Sequence, residues 1–143
     1  MQTKRMFSKH PEVHGDTDEA LVAAIEEELA CAQACTACAD ACLAEQGVSH
    51  LRQCIRVNLD CADVCSVTAT VVTRRTGVGD LVIRTLLDAC AKVCGLCAQE
   101  CRRHAARHEH CGVCAEACDA AQQACQAALR ALGPPAAAAP GPA

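Results

Sequence analysis

Residues 90–101 read CAKVCGLCAQEC, and their cysteines are Cys90, Cys94, Cys97 and Cys101. Steps of four, three and four residues keep side chains on one face of an α-helix. The same steps recur in CAQACTACADAC, whose cysteines are Cys31, Cys35, Cys38 and Cys42. The two stretches therefore predict two helices, each with a row of thiols along one side.

Two further rows follow the same rule. One consists of Cys54, Cys61 and Cys65, and Asn58 fills its missing position. The other consists of Cys111, Cys114, Cys118 and Cys125. These four rows account for all 15 cysteines of the 143-residue chain. The sequence thus predicts four helices whose thiols face a common interior.

Capping residues mark the predicted ends of the first two helices. Asp16 and Glu19 resemble a capping box that opens the first helix, and Gly47 is its predicted end. Ser49 is the predicted N-cap of the second helix, which continues to Arg75. In the first turns of the first helix, the side chains expected to face inward are Leu21, Ile25 and Leu29.

The second half of the chain has similar signals. A turn is predicted at residues 76–79, and Asp80 caps a third helix that reaches about Arg107. A fourth helix begins near His108 or Glu109 and ends at Gly133. Because the connections are short, we expect an all-α fold, an antiparallel up-down-up-down four-helix bundle with a cysteine-lined core.

This reading divides the chain into three parts. Residues 1–15 are expected to be a flexible N-terminal segment, 16–133 the bundle and 134–143 a disordered tail rich in Pro and Ala. One end of the bundle is predicted to be an aliphatic plug made of Leu21, Ile25, Val71, Val72, Leu81, Leu86, Leu129 and Leu132. The other is predicted to be a polar mouth formed by Cys42, His50, Cys54, Cys101, His104, His108 and Cys111.

The composition indicates where the protein is located and which partners it does not bind. The N-terminus has no apolar signal region and no twin-arginine pair, and no apolar run is long enough to span a membrane. A cytoplasmic protein with reduced thiols is therefore expected. The net charge of −4 and the scattered basic residues indicate that nucleic acid is not a partner.

Several uses of cysteine fit the rows poorly. Thiols are good core residues, but 15 of them restricted to inner faces are more than core filling requires. Disulfides between residues three or four apart on one helix have poor geometry. Iron–sulfur clusters of the ferredoxin type use cysteines on loops, whereas these lie within predicted helices.

Metal storage by thiolates fits better. Zinc forms four-ligand tetrahedral sites, which facing helices could assemble. Thiolates select Cu(I), a softer ion, and neighbouring thiolates along a row can share it. Charge sets the capacity, because each proton lost from a buried thiol must be replaced by a cation. One monovalent ion per thiolate gives on the order of fifteen Cu(I) ions per chain, whereas zinc would neutralise the same charge with about half that number.

The repeated CxxxCxxCxxxC helices resemble those of the bacterial copper storage proteins over roughly residues 16–132. The resemblance implies a four-helix bundle that holds many Cu(I) ions in a cysteine-lined interior. Exported members carry twin-arginine signals, whereas cytosolic members have histidines at the open end. This chain resembles the cytosolic branch, in which homotetramers are usual. It departs from the full row at Asn58, a weak carbonyl ligand.

The histidines differ in their expected roles. His104 and His108 continue the row beyond Cys101 and are predicted to bind metal or admit it at the mouth. His50 is in register with Cys54 and is a further candidate. His110 lies off the row and is expected to be solvated. His10 and His14 belong to the N-terminal segment, which is read as a flexible polar tail, and the sequence leaves a metal role for either of them open.

The sequence therefore predicts storage or sequestration of cytosolic Cu(I) without catalysis. Its metal ligands are the fifteen cysteines with His104, His108, His50 and Asn58. Two alternatives stay open, a zinc reservoir and a redox protein that contains a metal cluster. Nothing in the sequence identifies the copper donor or acceptor.

Overall fold

The structure, a computed structural model, describes residues 1–13, 17–77, 80–135 and 141. In these residues all regular elements are helical, which confirms the predicted all-α class. The α-helices are α1 (Thr3–Phe7), α2 (Thr17–Ala44), α3 (Arg52–Thr73), α4 (Asp80–His104) and α5 (Glu109–Leu132), and a 3₁₀ turn at Val48–Leu51 precedes α3.

The four long helices, α2 to α5, form the predicted bundle. Each packs on the next along the chain, and α5 returns to pack on α2. Neighbouring helices are antiparallel: Cys31 near the middle of α2 meets Cys118 of α5, whereas Cys38, further along α2, meets Cys111 near the start of α5. The order around the bundle is therefore up-down-up-down, with short connections at both ends.

Small residues fill the interior. All fifteen cysteines are buried, and alanines alternate with them, among them Ala24, Ala62, Ala69, Ala91, Ala98, Ala115, Ala121 and Ala128. Because these side chains are short, the four helices can pack around a core that contains no aromatic residue of their own. The core is consequently rich in sulfur along most of its length.

One end of the core is aliphatic, as predicted, but α4 contributes different residues. Leu81 is 77% exposed, whereas Ile83 and Leu87 are buried. The inward face of α4 runs through Ile83, Leu87 and Cys90 in steps of four and three, and Leu81 lies two residues before this face. The prediction for Leu81 was wrong because it followed hydrophobicity and not register.

Of the predicted helix boundaries, the start at Ser49 is wrong and the end at Gly133 is confirmed. Ser49 is not an N-cap: residues Val48–Leu51 form the 3₁₀ turn, and α3 begins only at Arg52, without a side-chain cap. The proposed cap at Asp16 lies outside the described residues, as do Val78 and Gly79 of the predicted turn. The predicted end of α5 is confirmed, since Gly133 follows Leu132 with a φ of 71°.

The N-terminal segment contains more structure than expected. Residues Thr3–Phe7 form α1, and Phe7, the single aromatic residue of the chain, is only 4% exposed in the core. The aliphatic end of the bundle offers this ring an apolar surface. Glu12 accepts a hydrogen bond from the backbone N–H of Gly77 at 3.2 Å, and His10 hydrogen-bonds Thr76 at 3.2 Å. The segment thus lies against the end of α3.

His14 and most of the predicted C-terminal tail lie outside the described residues. In the part of the chain that is described, no helix combines the length and the apolar character needed to cross a bilayer.

The buried aliphatic end should stabilise the bundle without metal. We predict that Leu87→Ala lowers the free energy of unfolding of the reduced, metal-free protein by about 2–5 kcal/mol, because it leaves a cavity in the plug. The control Leu81→Ala, at an exposed position of the same helix, should change it by less than about 0.5 kcal/mol. Urea denaturation followed by circular dichroism measures both. Equal effects would contradict the assigned register of α4.

Candidate metal centre

The thiols of the four helices form a continuous tube. None of the fifteen cysteines is in a disulfide. Sulfur atoms of different helices approach closely, at 3.5 Å between Cys65 and Cys94 and 3.6 Å between Cys35 and Cys118. Neighbours on one helix are similarly near, at 3.8 Å between Cys31 and Cys35. Cys31, for example, therefore has sulfur neighbours both along its own helix and across the tube.

Groups of four thiols overlap along the tube, and in each group the sulfur atoms lie within 4.8 Å of one another. Four such groups are Cys31–Cys61–Cys65–Cys94, Cys31–Cys35–Cys61–Cys118, Cys35–Cys97–Cys114–Cys118 and Cys38–Cys42–Cys54–Cys111. Cys31, Cys35, Cys61 and Cys118 each belong to two of the first three groups, and a three-thiol group, Cys38–Cys101–Cys114, connects these to the fourth. Because the groups share members, the tube is suited to ions that share thiolates and less to isolated four-ligand sites.

Burial favours the protonated form of two thiols at the mouth, Cys42 and Cys111, while no cation is present. Burial, and secondarily a charge on Cys54, raise the pKa of Cys42 to about 11. The pKa of Cys111 is raised for the same reasons. A metal that enters the tube must therefore displace protons.

Asn58 completes the third row inside the tube and is fully buried. Its side-chain oxygen accepts hydrogen bonds from the thiols of Cys114 at 3.0 Å, Cys97 at 3.3 Å and Cys101 at 3.6 Å. Its amide nitrogen donates to the sulfur of Cys54 at 3.4 Å. Asn58 thus connects thiols of three helices.

Two of the predicted mouth histidines lie near the end where α4 and α5 meet. His104 is half-buried, and its Nε2 donates to Glu100 at 3.1 Å. His108 is also half-buried, and its Nδ1 donates to Glu45 at 3.0 Å. Both therefore interact with carboxylates beside the thiol tube.

His110 is not solvated as expected, and this prediction was wrong. Its Nδ1 lies 3.4 Å from the sulfur of Cys38 and 3.5 Å from that of Cys111, and its Nε2 lies 3.1 Å from Glu45. The row rule considers only steps of three and four residues, so it overlooked a residue directly before Cys111 in the first turn of α5. Proximity to the helix start was the available signal.

His50, in contrast, was predicted to be a ligand and lies away from the thiols. Its expected register with Cys54 assumed a continuous α-helix, but residue 50 lies in the 3₁₀ turn. The residue is exposed, and no hydrogen bond within the described residues joins its ring to a thiol. The structure therefore does not bring His50 together with the thiol tube.

Glu45 organises the mouth electrostatically. The hydrogen bonds from His110 and then His108 lower the pKa of its carboxyl, which favours the ionised form. Because this carboxylate can only accept, it fixes the proton of His110 on Nε2. In the neutral ring the other nitrogen, Nδ1, then carries no proton, and it faces Cys38 and Cys111.

The opposite end of the tube holds a carboxyl group that the sequence analysis missed. Glu28 is 0% exposed, whereas Leu29, the residue expected to face inward, is 39% exposed. Glu28 lies three residues after Ile25 and three before Cys31, so it belongs to the same row. Burial, and secondarily a charge on Cys90, raise its pKa to about 8. Register could have identified it, but hydrophobicity favoured its neighbour.

Comparison with protein families gives one match that covers most of the chain. The family model described as copper storage protein matches residues 17–130. This range contains α2 to α4, nearly all of α5 and every cysteine.

Similar structures and sequences agree with this match. A copper storage protein, Ccsp, from Streptomyces lividans loaded with 10 copper equivalents is 52% identical, with a TM-score of 0.85, and the match covers 90% of this chain and 98% of that one. A structure of a cytosolic copper storage protein from the same organism with five coppers is 59% identical, with a TM-score of 0.77 over 78% of this chain and 93% of that one. An uncharacterised cysteine-rich protein, YhjQ, of Bacillus subtilis is 33% identical over 93 residues, which are 65% of this chain and 81% of the relative.

The role of Glu45 can be tested in the metal-free protein. We predict that long-range ¹H–¹⁵N NMR finds the proton of His110 on Nε2, and that Glu45→Ala reduces the population of this tautomer because the acceptor is lost. The control Glu109→Ala, at an exposed position beside His110, should leave the tautomer unchanged. Nδ1 protonation in the wild-type protein would contradict the geometry.

Proposed function

The chain belongs to the copper storage protein family, and on that premise we propose that its thiol tube binds Cu(I) at high capacity, with the cysteines as ligands. The observation that carries the proposal is the succession of three- and four-thiol groups along the tube, in which each of the groups described above shares at least one thiol with another. Such an arrangement lets each thiolate bridge two ions, as suits a soft monovalent metal. No separate ligand set has to be assembled for each ion.

Charge favours Cu(I) over zinc in this interior. One Cu(I) per thiolate replaces one proton by one positive charge and leaves the tube neutral. Zinc could occupy a four-thiol group, but four thiolates around one divalent ion leave two negative charges in the core. A zinc reservoir is therefore the less favoured function. A cluster-based redox protein has no specific observation in its favour.

The proposed ligand set consists of the following cysteines: Cys31, Cys35, Cys38, Cys42, Cys54, Cys61, Cys65, Cys90, Cys94, Cys97, Cys101, Cys111, Cys114, Cys118 and Cys125. Asn58 is a further ligand, through the oxygen that now accepts thiol protons. At the mouth, His104, His108 and His110 receive or bind incoming ions. His50 is excluded from the set because it is exposed away from the tube.

Further features of the proposal follow the relatives. Binding without catalysis suffices, because storage needs only ligands. Location in the cytosol is supported by the relative described as a cytosolic copper storage protein. A homotetramer is the proposed assembly, by the resemblance to the cytosolic branch. Residues 16–133 form the proposed storage domain, and α1 of the preceding segment packs on it through Phe7.

Copper titration of the reduced protein without oxygen tests the function. We predict a plateau of on the order of one Cu(I) per cysteine, read as metal per chain after desalting. The double variant Cys35→Ala/Cys94→Ala should bind about two ions fewer. Ser66→Ala, an exposed polar residue on α3, should bind as many as the wild type.

A plateau of three or four ions, or zinc retained more tightly than copper, would contradict the proposal and indicate discrete structural sites. An unchanged copper count after the double substitution would also contradict it, because the thiolates would then not be the ligands.

A further inference from the structure

Glu28 lies where the aliphatic plug meets the thiol tube. On α2 it is preceded by the buried Ile25 and followed by the buried Cys31. Its Oε1 accepts a hydrogen bond from the sulfur of Cys125 on α5 at 3.2 Å. It is also close enough to Cys90 of α4 for the two charges to interact. The carboxyl group therefore belongs to the innermost layer of thiols.

The group is incompletely satisfied in the metal-free protein. Its Oε2 is buried and has no hydrogen-bond partner among the described residues. The other fully buried polar side chains there are better paired: Asn58 contacts four thiols, and Thr68 donates to the carbonyl of Val64 at 2.7 Å. An unpartnered buried oxygen destabilises the fold, because it has lost its hydrogen bonds to water. A core position with only a structural role would be better filled by an apolar residue.

Copper loading changes the environment of Glu28. When Cys125 exchanges its proton for a metal ion, Oε1 loses its single hydrogen-bond donor. An ionised carboxylate would then face thiolates across a water-free interior, which is unfavourable without a further positive charge. One Cu(I) per thiolate neutralises the thiolates but not this carboxylate.

We propose that Glu28, with Cys125, holds one Cu(I) ion beyond the number that the thiolates alone neutralise, at the closed end of the tube. The proposal rests on the proposed function. The O–H bond of Glu28 breaks, a Cu–O bond forms and the proton leaves to solvent, while copper stays in the Cu(I) state. Because carboxylates are poorer ligands than thiolates for this soft ion, the thiolates supply most of the binding and Glu28 supplies the compensating charge.

Native mass spectrometry can count single copper ions on intact chains and so tests the proposal. At saturation, Glu28→Gln should hold one copper ion fewer than the wild type, because the substitution keeps the shape and removes the charge. The matched control Glu27→Gln, on the adjacent and more exposed position, should hold as many as the wild type. Thiol counts and helical circular dichroism verify that each variant has all its thiols and is folded.

Infrared difference spectroscopy of the wild type provides a second measurement that needs no variant to fold. The proposal expects a protonated carboxyl band in the metal-free protein that disappears on copper loading. Equal copper counts in Glu28→Gln and the wild type, or a carboxyl band that persists on loading, would overturn it. If instead every protein saturates far below its thiol count, the proposed storage function itself fails, and the two failures are distinguishable.

Discussion

The structure depends on one electrostatic constraint: a buried thiol can lose its proton only if a cation takes its place. Fifteen cysteines line a tube inside the bundle, and all of them are buried. A single uncompensated thiolate in such an interior is expensive, and a row of them repel one another. The protein can therefore exist in two neutral states, one with protons and one with metal, and the proposed function is exchange between them.

The fold separates stability from metal binding. The aliphatic end, with Leu21, Val72 and Leu87, gives the helices a conventional core that needs no ion. The small residues around the tube then allow close helix packing without filling the space between sulfur atoms. At the other end, Glu45 pairs with His108 and His110 beside the thiols of Cys38 and Cys111. The groups that stabilise the fold and those proposed to admit metal thus occupy different ends of one bundle.

Much of this could be predicted from spacing alone. Steps of three and four residues determine which side of a helix a cysteine occupies, so the thiol rows and their common interior followed from the sequence. The same rule would have identified Glu28, but hydrophobicity favoured Leu29 at the adjacent position. The predictions for His110 and His50 failed for another reason, because the positions of these residues depend on the local structure at the start of a helix. The burial of Phe7 was not predicted because a helix as short as α1 is stabilised by the surface on which it packs. The spacing of residues within the segment does not indicate that surface.

The most direct test of the central constraint is the number of protons released for each copper ion bound. A pH-stat titration of the reduced, metal-free protein with Cu(I) in weakly buffered solution without oxygen gives this ratio. The account predicts about one proton per copper ion until the buried sites are saturated, because each thiol exchanges one positive charge for another. A ratio near zero would mean that thiolates already exist in the metal-free tube, and a ratio near two would mean that charge neutrality does not govern loading. Either result would contradict the account.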